Sequence, residues 1–139
     1  MATTTAQITL TSTDMADNAL SISNTMTLTT AGTETGITET TGLARKKIAS
    51  SSLADLITVA NTDVTAAKSA KVYIKNTSTA TDKYGLVGIG DSGGTPIYIG
   101  RLYGGDWMLI PWDANSGEDI TMTMNDATAT IIEYMLFFE

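Results

Sequence analysis

The chain has no cysteine and no histidine. The first absence excludes a disulfide framework, a thiolate metal site and a thiol nucleophile. The second removes the side chain that most often moves protons at neutral pH. Proline is nearly absent, at two residues, and aromatics make up 6%. No apolar run approaches the ~20 residues of a membrane-spanning helix. The opening Met-Ala-Thr-Thr-Thr has neither a basic nor an apolar leader region, so a signal peptide is not expected. Basic residues are missing altogether from residues 1–44 and from residues 102–139. Clustered Lys and Arg are what phosphate backbones require, and a net charge of −7 argues against a nucleic-acid partner.

The eight bases all lie between Arg45 and Arg101, against four acids in that segment. The flanking segments carry four and seven acids. The three segments therefore have net charges of −4, +4 and −7. Such segregation suits a subunit whose positive patch meets a neighbour's acidic patch, which fixes register and speeds association. Arg45, Lys46 and Lys47 form a short basic run, read as a salt-bridge contact or a solvated loop.

Threonine is abundant, and apolar residues alternate with it at period two. Ile8 and Leu10, Leu20 and Ile22, Met26 and Leu28, Val72 and Ile74, Ile97 and Ile99, and Ile120, Met122 and Met124 all follow this pattern. These are half-buried strands, with the branched threonine Cβ suited to an extended backbone. The stretches Gly85-Leu-Val-Gly-Ile-Gly90 and Ile131-Ile-Glu-Tyr-Met-Leu-Phe-Phe138 are more continuously apolar and read as central strands. Turn chemistry falls at 13–18, 31–36, 76–82, 91–94, 113–119 and 125–126. Two readings stay open near 51–58: a short helix capped by serine, with Leu53, Leu56 and Ile57 on one side, or a strand ending at Val59. About eight to ten short strands result. The fold expected is all-β, an antiparallel β-sandwich of jelly-roll type. The 42% hydrophobic content of 139 residues supports one domain over 1–139. Its Thr-rich beginning, about 1–44, would act as an arm.

Several motifs resemble chemistry. Gly90-Asp-Ser-Gly-Gly94 spells the surroundings of a serine-protease nucleophile, but there is no histidine to take the proton. Gly88-Ile-Gly-Asp-Ser-Gly93 has dinucleotide-loop spacing but runs into a strand pattern instead of a helix. Asp113-Ala-Asn-Ser-Gly-Glu-Asp119 starts like a calcium loop and then puts glycine at a ligand position. Catalytic, cofactor-binding and metal-ligating residues are therefore expected to be none, and an enzyme is not expected.

Both tryptophans sit in Gly100-Arg-Leu-Tyr-Gly-Gly-Asp-Trp-Met-Leu-Ile-Pro-Trp112. Tyr103, Trp107 and Trp112 are packing or interface candidates, with Arg101 beside them. Stacking of a sugar ring on these aromatics, with Asp106 as a functional acid, is the alternative use. Pro111 should end a strand or mark an edge. Trp107 and Leu109 should share one face, Met108 and Ile110 the other, and Trp107 is expected to be buried.

That same segment, with Lys71-Val-Tyr-Ile-Lys-Asn-Thr77, Thr40-Thr-Gly-Leu-Ala-Arg-Lys-Lys47 and Ile132-Glu-Tyr-Met135, resembles small virion structural proteins of marine tailed bacteriophages, cyanophages especially. The resemblance implies a virion location, made in the host cytoplasm, and a decoration or cement role on the head lattice. The major capsid protein or another virion protein is then the partner, and a homo-oligomer, a trimer first, is expected. The alternative is a receptor- or carbohydrate-binding module of a tail or fibre. Neither reading involves a membrane or a cofactor.

Overall fold

The computed structural model describes residues 4–13, 20–27, 39–50, 53–64, 70–115 and 117–139. The expected turn at 31–36 and most of the one at 13–18 lie outside these residues, as do Leu28 and Lys68. The chain divides into two compact units, Met1–Thr38 and Glu39–Glu139. The Thr-rich segment does not end at the unit boundary, because residues 39, 40 and 44 already pair with the last strand of the second unit.

The first unit holds an antiparallel ribbon of β1 (Thr5–Ser12) and β2 (Leu20–Thr27). The second unit is all-β. Its strands are β3 (Glu39–Thr40), β4 (Ala44–Ile48), β5 (Ala54–Ile57), β6 (Ala70–Asn76), β7 (Tyr84–Ile89), β8 (Ile97–Tyr103), β9 (Trp107–Trp112), β10 (Ile120–Met124) and β11 (Thr130–Phe138). A 3-10 turn occupies Val59–Asn61.

The pairings of β4 to β11 follow one rule. β4 pairs β11, β5 pairs β10, β6 pairs β9 and β7 pairs β8, every time antiparallel. The stretch from β4 to β11 is thus one long hairpin with its tip between β7 and β8. Two further ladders, β6 with β11 and β7 with β10, roll that hairpin into two sheets. One sheet has the order β5-β10-β7-β8; the other runs β11-β6-β9, with β4 and the short β3 both on the free side of β11. This is the jelly-roll arrangement of an antiparallel sandwich.

Period two decides what lies between the sheets. In β6, Ala70, Val72, Ile74 and Asn76 are buried while Lys71, Tyr73 and Lys75 are half-buried on the other side. β10 contributes Ile120, Met122 and Met124, and β11 contributes Ile132, Leu136 and Phe138. Gly85 of β7 lies beneath the two methionines, and a Cβ there would stand 2.8 Å from Met122 Cε. Asn76 is fully buried and satisfied. Its amide donates to the carbonyls of Leu102 at 3.0 Å and Lys83 at 3.2 Å, and its side-chain oxygen accepts from Ser78 N–H at 3.0 Å. One polar side chain so ties the β6–β7 loop to the end of β8 in the facing sheet.

Residues 54–57 form a strand and not a helix. Leu56 and Ile57 are buried in the core, and the ladder to β10 supplies the backbone partners that a helix would have supplied internally. The basic run is also a strand, β4, and not a loop.

Candidate docking surface

The outer face of the sheet formed by β4, β11, β6 and β9 gathers half of the protein's basic residues. Register fixes the rows. Arg45 of β4 lies opposite Glu133 of β11, which lies opposite Lys75 of β6, which lies opposite Trp107 of β9. The next row brings Met135, Tyr73 and Leu109 together, and the third Phe137, Lys71 and Pro111. Lys47 faces Ile131 on the other side of the first row. Four bases and one acid give this face a net +3, on a chain whose net charge is −7.

The acid is already engaged. Arg45 Nη2 lies 2.6 Å from Glu133 Oε1, and Nε donates to the same oxygen at 2.9 Å. No ion pair with a described carboxylate is formed by Lys47, Lys71 or Lys75. Beside them Trp107 is 48% exposed, with its ring 6.3 Å from that of Tyr73. Burial, and then the Glu133 charge, push the Tyr73 hydroxyl above its ordinary value. The surface is cationic and aromatic. Tryptophan, tyrosine and arginine are the residue types that carry most interface energy, and this face holds an exposed Trp107, a half-buried Tyr73 and Arg45.

The predicted residues fall on different surfaces. β9 is an edge strand, as Pro111 requires, and its side chains alternate as expected. The orientation of Trp107 is the reverse of the expectation. Trp107, Leu109 and Pro111 face outward, while Met108 and Ile110 pack against the core and Trp112 is 4% exposed within it. Trp112 Nε1–H donates to the Glu118 carbonyl at 2.7 Å. Tyr103 belongs to the other sheet. It contacts Tyr84 at 5.2 Å between ring centroids, and the Arg101 guanidinium lies 4.7 Å over the Tyr84 ring. Tyr103, Trp107 and Trp112 therefore do not converge on one sugar-stacking site. Asp106 closes the turn between β8 and β9 by accepting from Tyr103 N–H at 3.0 Å. Gly105, with φ of 90°, supplies the left-handed position in that turn.

The basic run splits across the two sides of β4. Arg45 and Lys47 point outward, whereas Lys46 reaches the backbone carbonyl of Asp55 in the facing sheet. The protease-like motif is a turn: Ser92 Oγ donates to Asp55 Oδ2 at 2.6 Å, and Gly93 N–H donates to Asp91 Oδ1 at 2.7 Å. In the acidic loop, the Asn115 amide donates to Asp113 Oδ2 at 2.6 Å. Among the described residues no three acidic side chains are grouped closely enough to hold a metal ion.

Sequence reasoning missed Lys71, Tyr73, Lys75, Leu109 and Glu133 as members of one surface. The local signal was present, since Lys71, Tyr73 and Lys75 alternate with the apolar residues of β6. Which strands flank β6 is a long-range fact that alternation does not encode. No family model matches the chain, and no curated protein or solved structure matches it.

Proposed function

We propose that the chain is a virion structural protein of a tailed bacteriophage, a decoration protein that binds the assembled head lattice and stabilises it. The observation that carries this reading is the cationic, aromatic outer face built on the row Arg45–Glu133–Lys75–Trp107 in an otherwise acidic chain. Its partner is an acidic protein surface of the head subunit. The resemblance to small phage virion proteins supports the reading, and the jelly-roll class includes viral capsid and lectin domains. That fold argument is one of analogy.

The action is binding alone. A protein that binds the closed lattice and not the opened one stabilises the closed state by mass action. Copies bound side by side add avidity, so each contact can be modest. Mass spectrometry of purified particles tests the assignment. A decoration protein is present at a copy number comparable to the head subunit. Absence from the particle overturns the proposal.

A receptor- or carbohydrate-binding module of a tail or fibre is the second reading, favoured by the half-exposed Trp107 indole next to Tyr73. It predicts a few copies per particle and a glycan that competes for that face.

A further inference from the structure

The ribbon of the first unit has two unlike faces. β1 and β2 pair over all eight residues of each strand, from Thr5 opposite Thr27 to Ser12 opposite Leu20. Period two puts Ile8, Leu10, Leu20, Ile22 and Met26 on one face, and threonine, serine and glutamine on the other. Each of those five apolar residues is at least 39% exposed. A two-stranded ribbon is marginal in water by itself, so a ribbon with a bare apolar face calls for a cover.

The chemistry of the face indicates what covers it. None of the sixteen strand residues is charged, so the ribbon offers no electrostatic element to select a foreign partner. The polar members of this face are Ser12, at the strand end opposite Leu20, and Asn24, within the strand opposite Ile8. An amide both donates and accepts, so around a symmetry axis the best partner for Asn24 is Asn24 of another copy. A polar amide within an apolar seam fixes register in this way in other assemblies. The ribbon is about 26 Å long and about 10 Å wide by strand geometry. That is well under the ~800 Å² per partner of a stable dimer, so ribbon contacts alone give a weak, concentration-dependent association.

We propose that the apolar face of the ribbon is the surface through which copies of this chain associate, with Asn24 setting the register. The inference rests on a different unit from the docking face. A chain that self-associates and fails to bind particles overturns only the decoration reading.

The absence of cysteine gives a clean test. Leu10→Cys and Thr9→Cys place a thiol on the apolar and the polar face respectively, and any disulfide formed must join two copies. On oxidation of the full chain, Leu10→Cys should yield covalent dimer several-fold more than Thr9→Cys. Equal yields, or a Leu10→Cys chain that resists cross-linking because its own body or nothing covers the ribbon, overturn the proposal. Sedimentation velocity supplies the second arm. The wild-type chain should grow in size with concentration in the micromolar range, and Leu10→Gln with Ile22→Gln should abolish that growth. Asn24→Leu should replace a single assembled size by a mixture. A wild-type chain that stays monomeric throughout, including one that joins only a foreign protein, contradicts the proposal. So does growth that survives the double substitution.

Discussion

Lys75 and Trp107 are register partners on the outer face of β6 and β9, and Trp107 points away from the core that Trp112 enters five residues later. The two tryptophans therefore have opposite consequences when removed. Trp112→Ala should cost about 3–5 kcal/mol, the range for a buried large aromatic. It also leaves the Glu118 carbonyl without its indole donor. Trp107→Ala removes a cross-strand neighbour of Tyr73 and Lys75 and should cost about 1 kcal/mol or less. Chemical denaturation of the two variants reads the difference. Similar losses would show that Trp107 is core.

Asn76 joins three segments with one amide. Replacing it by alanine strands the carbonyls of Leu102 and Lys83 and the N–H of Ser78 in a buried place. Each buried, unpaired group costs on the order of 1–3 kcal/mol, and water reaches some of them, so Asn76→Ala should lose about 2–4 kcal/mol. A melting curve within about a degree of wild type would contradict the linking role.

Thr121 of β10 is fully buried, and its hydroxyl has no hydrogen-bond partner. Valine has nearly the same shape without the hydroxyl. Thr121→Val should therefore be neutral to stabilising by about 1 kcal/mol, opposite in sign to most core changes. A clear loss of stability on denaturant titration would mean the hydroxyl is satisfied in solution.

Asp126 carries a pH dependence. The Thr128 backbone N–H, and then Lys83, hold its carboxyl below the ordinary aspartate value of 3.8. A depressed folded value means that the ionised group stabilises the fold above the unfolded value and that this is lost as pH falls through the folded one. Asp126→Asn should thus be less stable than wild type at neutral pH. The difference should shrink as pH drops below 3.8. Paired thermal melts across the acid range measure it, and a gap that widens in acid would reverse the sign.

Much of the fold was legible because alternation is a local property. β6 reads directly from Lys71-Val-Tyr-Ile-Lys75, and β10 from its three spaced apolar residues. Residues 54–57 were ambiguous because Leu53, Leu56 and Ile57 fit a helical stripe as well as a strand, and a partner over sixty residues away decides the matter. In β9, alternation separated Trp107 and Leu109 from Met108 and Ile110 but could not say which pair faces the core, since both sides are apolar. The docking surface was the least visible. Its cations come from two separated stretches of chain, β4 and β6, that only their ladders to β11 bring together.

The central claim is that the basic, aromatic face docks the chain on an acidic lattice. The most direct measurement is the affinity of the purified chain for undecorated particles as salt is raised. Wild-type binding should weaken with salt, as complementary charges are screened within a Debye length of about 10 Å at 0.1 M. Lys71→Gln with Lys75→Gln should reduce affinity by an order of magnitude and flatten the salt dependence, while Arg101→Gln on the other sheet leaves both unchanged. Equal losses in the two variants, or binding indifferent to salt and to both, would contradict the account.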